Sequence, residues 1–129
     1  MPNLLANIPV SKVMSGVYPT SSENTVSKAY GLMQGKHLDG LPVVENSELV
    51  GVITRSDINK IDLSRREKTK VKDVMTKQPI TIGSEEKLST ALEKMTKLKI
   101  GKMPVVSTTG ALVGWLSLGD IDTAVKTLR

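Results

Sequence analysis

The chain has 129 residues, enough for one compact domain with a core of its own. It contains no Cys, which excludes a disulfide scaffold, a thiolate metal site and a cysteine nucleophile. The formal charge of +5 favours anionic partners such as nucleotides, polyphosphates or nucleic acid, although an ordinary solvated surface often carries such an excess. Residues 1–10 lack the pattern of a signal peptide, and no apolar run is long enough to cross a bilayer, so we expect a soluble, cytoplasmic protein.

Two long segments of the chain repeat one pattern. Leu-Pro-Val-Val at 41–44 returns as Met-Pro-Val-Val at 103–106, and Leu-Val-Gly-Val-Ile-Thr at 49–54 returns as Leu-Val-Gly-Trp-Leu-Ser at 112–117. Two halves of this size must bury their apolar faces against each other, and a cleft between such halves is a common ligand site. We therefore divide the chain into an N-terminal extension, a first repeat, a basic linker and a second repeat, at residues 1–9, 10–63, 64–70 and 71–129.

The N-terminal extension has no counterpart in the second half of the chain. Its apolar residues Leu4, Leu5 and Ile8 suit either the cover of a sheet edge or a dimer contact. Fraying of the terminus is the competing interpretation.

Each repeat then begins with the same elements. An apolar-polar segment, 10–15 or 71–76, precedes a proline and a short extended stretch. Apolar residues at i, i+3, i+4 and i+7 predict an amphipathic helix that starts at Val26 in the first repeat and at Leu88 in the second. Thr25 suits the N-cap of the first helix, whereas Lys87 at the matching position does not.

Two β-rich runs joined by a polar turn follow in each repeat and predict a hairpin, with turns at 45–48 and 107–110. Because proline lacks a hydrogen-bond donor, Pro42 and Pro104 are expected at strand starts or edges. A second helix is predicted to start near Asp57 or Asp120. The order strand, helix, strand, strand, helix predicts the α+β class, with a small mixed sheet and helices on one face.

A hydroxyl residue ends the last strand of each repeat, and an aspartate follows three positions later. The pairs are Thr54 with Asp57 and Ser117 with Asp120. We call the end of this strand, together with the start of the helix that follows it, a junction. Backbone N–H groups at a junction suit a phosphate, and a carboxylate can accept from two hydroxyls of a ribose. The same spacing is close to a capping box, which needs no ligand. The residues alone leave both interpretations open.

The ordered set of strands, helices and junctions, present twice, resembles a tandem pair of CBS domains, the Bateman module, over about residues 10–128. The resemblance implies two β-α-β-β-α repeats packed through their sheets with pseudo-two-fold symmetry. It also implies regulatory binding of an adenosyl ligand, namely AMP, ADP, ATP or S-adenosylmethionine. Many members of the family pair into dimers, so the resemblance implies a homodimer.

The resemblance further implies crossed sites, in which the junction of one repeat faces the first strand and the Pro-containing strand of the other. One site would use Ser117 and Asp120 with Thr20, Gly40, Leu41 and Pro42. The other would use Thr54, Arg55 and Asp57 with Ile80, Lys102, Met103 and Pro104. Backbone groups near Leu41 and Met103 would contact the adenine edge, and apolar side chains would enclose the ring.

The two implied sites differ in charge. Arg55 is placed to reach a phosphate, but the matching residue of the second repeat is Leu118. We therefore expect a charged nucleotide at the site with Arg55. The Ser117 site is expected to hold a less charged ligand or none.

Few residues support catalysis or metal binding. His37 is the only histidine, and it falls at the end of a helix pattern, where a surface position or a phosphate contact are the alternatives. No acidic cluster or Gly-rich phosphate loop is present, and no base can be assigned to a serine nucleophile. We expect no catalytic residue, no metal and no catalytic cofactor.

The basic stretch 60–72 provides an alternative function, electrostatic binding of nucleic acid, with a solvent-exposed linker as the other interpretation. Such binding would weaken steeply with salt, because it would rest on phosphate contacts. A regulatory module without a catalytic domain needs a separate protein partner, which the sequence does not name.

Overall fold

The computed structural model describes residues 7–127, and the chain divides into two compact units. The first-repeat unit consists of Tyr18–Pro79. The second-repeat unit consists of residues 7–17 together with residues 80–127. Leu4 and Leu5 of the predicted extension lie outside the described residues, whereas Ile8 packs against the core of the second-repeat unit.

The opening segments of the two repeats are exchanged between the units. We call residues 10–15 the first arm and residues 71–76 the second arm. The first arm packs in the second-repeat unit, and the second arm packs in the first-repeat unit. Val10 N donates to the Glu86 carbonyl at 2.8 Å, and Val71 N donates to the Asn24 carbonyl at the same distance. The first-repeat unit is therefore one contiguous segment that includes the second arm, whereas the second-repeat unit combines the first arm with a segment that is distant in the sequence.

The first-repeat unit contains a four-stranded sheet and two α-helices. In chain order its elements are β1 (Thr20–Ser21), α1 (Val26–Lys36), β2 (Gly40–Glu45), β3 (Glu48–Thr54), α2 (Arg55–Asn59) and β4 (Thr76–Lys77). The sheet order is β1-β2-β3-β4, with β1 parallel to β2 and the other neighbours antiparallel. Asn46 and Ser47 make the predicted hairpin turn with φ of 51° and 67°, the left-handed conformation that a two-residue hairpin requires.

The second-repeat unit has the same topology. Its elements are β5 (Ile82–Gly83), α3 (Leu88–Leu98), β6 (Lys102–Val106), β7 (Leu112–Ser117) and α4 (Leu118–Thr127). β5 is parallel to β6, and β6 is antiparallel to β7. Ser15 of the first arm pairs with Trp115 of β7, at the place where Thr76 of β4 pairs with Val52 of β3. The predicted mixed α and β architecture of two equivalent repeats is confirmed.

The amphipathic helices form as predicted in both units. α1 buries Val26, Ala29 and Met33, and α3 buries Leu88, Ala91 and Met95. Thr25 Oγ1 accepts a hydrogen bond from Lys28 N at 3.1 Å, whereas Lys87 provides no side-chain cap. The difference between the two caps was visible in the sequence because lysine has no acceptor.

Each arm supplies a buried valine to the core of its unit. Val10 is fully buried beside Ile82 and Leu116, and Val71 is fully buried beside Val26 and Ile53. Burial of a side chain of this size contributes roughly 1.5–3 kcal/mol to stability. The arms are therefore structural parts of the units in which they pack.

The linker 64–70 is largely exposed, as predicted, but its backbone is bound to the first-repeat unit. The Thr69 carbonyl accepts from Val26 N at 2.8 Å, and the Arg66 carbonyl accepts from Ser27 N at 3.0 Å. These bonds satisfy two of the N–H groups that the first turn of α1 would otherwise leave without a partner.

The structure refines two local expectations. Pro42 and Pro104 were expected at strand starts or edges, and they are the third residues of β2 and β6. β1 pairs only with Val43 and Val44, so it ends before it reaches the position of Pro42, where no N–H is available. The second helices begin at Arg55 and Leu118, two positions before the aspartates, because each aspartate caps its own helix.

The strand β4 was not predicted from the sequence, because its two residues are exposed and polar and show no alternation of apolar and polar side chains.

Within the range 7–127 no helix is long and apolar enough to cross a membrane.

Candidate functional site

The two predicted junctions each form a reciprocal capping box. In the first-repeat unit, Asp57 N donates to Thr54 Oγ1 at 3.2 Å, and Thr54 N donates to Asp57 Oδ2 at 2.9 Å. In the second-repeat unit, Asp120 N donates to Ser117 Oγ at 3.1 Å, and Ser117 N donates to Asp120 Oδ2 at 3.0 Å. The capping interpretation of the motif is therefore confirmed in both repeats.

Capping does not use the whole carboxylate. Each box bonds Oδ2 of its aspartate, and a carboxylate has two oxygens with about four acceptor positions in all. The box also fixes the side chain relative to the start of the helix. An aspartate held in this way can still accept a hydrogen bond from another group through Oδ1, so capping and ligand binding are compatible.

One difference separates the two aspartates. Ser15 Oγ of the first arm donates to Asp120 Oδ1 at 2.9 Å. At the matching position of the second arm stands Thr76, and within the described part of the chain its hydroxyl makes no hydrogen bond to Asp57. The carboxylate at the second-repeat junction is thus engaged through both oxygens by its own unit.

The residues after the two hydroxyls also differ. Arg55 Nη2 donates to the Leu38 carbonyl at 3.1 Å, and its guanidinium carbon lies 6.0 Å from the centroid of the Tyr30 ring. Arg55 Nε is buried and has no hydrogen-bond partner among the residues that the structure describes. Leu118 at the corresponding position is 45% exposed. A cation therefore stands at one junction and an exposed apolar side chain at the other.

The Pro-containing strands lie directly beside the junctions of their own units. Gly40 pairs with Thr54, and Lys102 pairs with Ser117. Arg55 N donates to the Asp39 carbonyl and Leu118 N to the Gly101 carbonyl, each at 2.9 Å. The start of each Pro-containing strand is therefore fixed against the end of the last strand.

Leu41 and Met103, whose backbone groups are expected to contact the adenine edge, are core residues. Leu41 and Met103 are fully buried in the cores of their units, which leaves their backbone groups as the contacts available to a ligand. Thr20 is 3% exposed and its hydroxyl accepts from Asn24 Nδ2 at 3.0 Å, while Ile80 is 42% exposed.

The structure places the predicted site residues in two groups, one in each unit. The first-repeat unit holds Thr20, Gly40, Leu41, Pro42, Thr54, Arg55 and Asp57; the second-repeat unit holds Ile80, Lys102, Met103, Pro104, Ser117 and Asp120. Each crossed site draws on both groups, so its assembly stays a prediction of the family resemblance.

A charged cluster fixes part of the basic stretch 60–72. Glu23 accepts from Lys70 Nζ at 3.1 Å and from Lys72 Nζ at 2.8 Å. These bonds lower the pKa of Glu23, with the larger effect from Lys72 and the next from Lys70. The bond to Glu23 in turn raises the pKa of Lys72.

Arg66 is also held within the first-repeat unit. Its guanidinium lies 5.4 Å from the Tyr30 ring centroid, and its Nε donates to the Ile61 carbonyl. Several cationic side chains of the stretch 60–72 therefore already form an ion pair, a ring contact or a hydrogen bond within the first-repeat unit.

Other candidate groups have ordinary structural roles. His37 is the exposed residue that ends α1 in the left-handed conformation, with φ of 56°. Between residues 7 and 127 no three acidic or histidine side chains cluster in a way that would hold a metal ion.

Two repeats of one known family are found in the chain. The model of the CBS domain matches residues 10–64 and 71–127. An inosine-5'-monophosphate dehydrogenase of Korarchaeum cryptofilum is 38% identical over 111 residues, which cover 86% of this chain and 23% of that protein. The chain spans about a quarter of the length of the curated dehydrogenases that it matches.

Solved structures include similar pairs of CBS domains with bound ligands. CBSX2 of Arabidopsis thaliana in complex with AMP is 26% identical, with a TM-score of 0.83 and coverage of 95% of this chain and 100% of that chain. The CBS domain pair of the protein MJ0100, in complex with 5'-methylthioadenosine and S-adenosyl-L-methionine, is 28% identical, with a TM-score of 0.79 and coverage of 91% and 98%.

Proposed function

Because the chain belongs to the CBS-domain family, with two CBS domains in tandem, we propose that it is a non-catalytic regulatory module that binds an adenosyl ligand. The ligand is AMP, ADP, ATP or S-adenosylmethionine. Asp57 and Asp120 each bind the ribose of such a ligand through the carboxylate, and the backbone at Leu41 and Met103 contacts the adenine.

The observation that carries this proposal is the duplicated capping box. It orients a carboxylate at the end of the last strand in each repeat and uses only Oδ2 for the cap. A fixed carboxylate binds a diol with little loss of side-chain entropy. Support also comes from the AMP complex of CBSX2 and from the S-adenosylmethionine complex of MJ0100.

The two junctions are proposed to differ in ligand. Arg55 gives the Asp57 junction a guanidinium, which suits the phosphates of AMP, ADP or ATP. To reach a phosphate, Arg55 uses the donors that its bond to the Leu38 carbonyl leaves available. Leu118 provides no charge at the Asp120 junction, which suits a ligand without phosphates or leaves that junction unoccupied.

Regulation requires a partner, which we propose to be a separate protein, with the module itself acting as a homodimer. Nucleic-acid binding through residues 60–72 is less favoured. Lys70 and Lys72 are paired with Glu23, and Arg66 is turned to Tyr30, so fewer cations remain to contact phosphates.

Mass spectrometry of small molecules released from freshly purified protein tests the proposal and names the ligand. Calorimetric titration with AMP, ADP, ATP and S-adenosylmethionine then gives the affinities. Asp57→Ala should weaken binding of a phosphate-containing ligand by roughly 10- to 100-fold, as expected for a lost hydrogen bond to a charged group.

The matched control is Asp122→Ala, which removes an exposed carboxylate that pairs with Lys126 at 3.1 Å. It should leave every affinity unchanged. Asp57→Asn keeps an oxygen to cap Thr54 N and separates the loss of charge from the loss of the cap. Flat titrations with all four compounds, together with no released adenosyl ligand, would reject the proposed function.

A further inference from the structure

We infer that Ser15 is a specificity-determining residue of the Asp120 junction, where its hydroxyl competes with the ribose of the ligand for the carboxylate. This inference rests on the proposed function. It is carried by the hydrogen bond from Ser15 Oγ to Asp120 Oδ1 at 2.9 Å, between residues that are 105 positions apart in the sequence.

The first arm holds Ser15 firmly in place. Ser15 N donates to the Trp115 carbonyl at 2.8 Å, and Trp115 N donates to the Ser15 carbonyl at 3.1 Å. Met14, the residue before it, packs onto Gly114, which has no side chain to obstruct it. Two backbone bonds and a packed neighbour fix the position from which the hydroxyl reaches Asp120.

The occupancy of the carboxylate follows from these contacts. Oδ2 accepts from Ser117 N and Oδ1 accepts from Ser15 Oγ, so each oxygen already has one donor. A ribose diol brings two further donors, and one of the two acceptor positions on Oδ1 is taken by the serine. Binding of a diol therefore requires the Ser15 hydroxyl to turn away or to share Oδ1.

The first-repeat unit provides the internal comparison. The two arms share the pattern Val-x-x-Val-Met followed by a hydroxyl residue. Ser15 of the first arm pairs with β7 as Thr76 of the second arm pairs with β3. Of the two hydroxyl residues, only Ser15 bonds the aspartate of its unit, within the range that the structure describes. Asp57 thus has one competitor fewer. The arm sets a difference in ribose affinity between the two junctions, in addition to the difference in charge between Arg55 and Leu118.

The test uses the full chain with only one competent junction. In Asp57→Ala protein, Ser15→Ala should tighten binding of an adenosyl ligand at Asp120 by roughly three- to tenfold, the range for the net contribution of an ordinary hydrogen bond. AMP and S-adenosylmethionine are the probes, measured by calorimetry. A merely structural role of Ser15 predicts the opposite sign, because a loosened arm would weaken binding.

Two controls accompany this measurement. Thr76→Ala in Asp120→Ala protein should leave the AMP affinity of the Asp57 junction unchanged. The 2'-deoxy form of AMP should gain less than AMP from Ser15→Ala, because it presents one hydroxyl fewer to the carboxylate.

The outcomes separate the inference from the proposed function. If the unmodified protein binds adenosyl ligands but Ser15→Ala leaves or lowers the affinity at Asp120, the inference is overturned and the proposed function stands. Absence of any binding at Asp120 in Asp57→Ala protein, with or without Ser15→Ala, while Asp120→Ala protein still binds an adenosyl ligand at Asp57, also overturns the inference. If no adenosyl ligand binds the unmodified protein, the proposed function itself fails and the inference falls with it.

Discussion

Met75 packs directly onto Gly51, so that a Cβ on residue 51 would lie 2.6 Å from its sulfur. The Thr76 carbonyl would lie 2.7 Å from the same Cβ. Met14 and Gly114 repeat this relationship in the other unit. Each arm therefore packs where β3 or β7 carries a glycine. The two glycines of the repeated Leu-Val-Gly motif leave the space in which the two methionines pack.

The Gly51→Ala substitution should destabilise the protein by about 1–3 kcal/mol, because the new methyl group meets both a side chain and a backbone carbonyl. Chemical denaturation followed by circular dichroism measures the change. Gly16→Ala is the matched control, since among residues 7–127 no atom beyond its two chain neighbours lies within 4 Å of the position that its Cβ would take. Equal stability of the two variants would contradict the close docking of the second arm.

The exchange of arms predicts that a mutation in one sequence repeat weakens the unit formed by the other. Val10→Ala removes apolar volume from the core that contains Leu116, and should cost about 1.5–3 kcal/mol. Amide hydrogen exchange should show a greater loss of protection in β7 than in β3. Val71→Ala, whose side chain packs beside Ile53, should show the reverse.

Val113→Ala is the control for both arm variants. Val113 is 38% exposed, so the same truncation should change stability by less than about 0.5 kcal/mol. If Val10→Ala instead lowered protection mainly in β3, the assignment of the first arm to the second-repeat unit would be wrong.

Much of the fold could be predicted because its signals are local. The spacing of Val26, Ala29 and Met33 identifies the buried face of α1, and the polar turn at Asn46 and Ser47 identifies a hairpin. Both signals occur in each repeat. Elements with strong periodicity and a defined turn were therefore found with nearly correct bounds.

The arms could not be placed in this way. Nothing in the segment around Val10 indicates that it packs beside Leu116 rather than beside the strands that follow it in sequence. The choice depends on tertiary packing, which a window of neighbouring residues does not contain. For the same reason the bond between Ser15 and Asp120 had no sequence signal, although the shared Val-x-x-Val-Met pattern marked both arms as equivalent.

At the candidate site the capping boxes could be predicted, whereas the ligand contacts stay a prediction. The spacing of Thr54 and Asp57 correctly indicated a capping box, and the same residues remain the proposed ribose contact. The position of the Arg55 guanidinium against Tyr30 and the Leu38 carbonyl could not be predicted from the sequence. The partners of a long side chain depend on which groups the tertiary fold brings close to it.

The unequal caps of α1 and α3 give a stability prediction. Lys87→Thr should add the hydrogen bond that Thr25 makes in the first repeat and stabilise the protein by roughly 0.5–1 kcal/mol. Thr25→Ala should destabilise it by about the same amount. Thermal unfolding of the two variants measures both effects, and a Lys87→Ala protein with the full gain would show that loss of the lysine, rather than a new cap, is responsible.

The cluster of Glu23 with Lys72 and Lys70 predicts a dependence of stability on pH. The bonds from Lys72 and then Lys70 lower the pKa of Glu23 from its ordinary value of 4.5, so the folded state favours the ionised carboxylate. The stabilisation is therefore present above the pKa of the unfolded chain and is lost as the pH falls through the lower pKa of the folded state. The pKa of Lys72 is raised from 10.5, so the stabilisation that Lys72 contributes is present below that value and is lost as the pH rises through the higher pKa of the folded state.

Nuclear magnetic resonance titration of the Glu23 side chain should show the lowered pKa at low salt and a shift back towards the ordinary value at high salt, because both partners are about half exposed. Lys72→Gln should raise the pKa of Glu23 more than Lys70→Gln does, and equal effects of the two substitutions would contradict the leading role of Lys72.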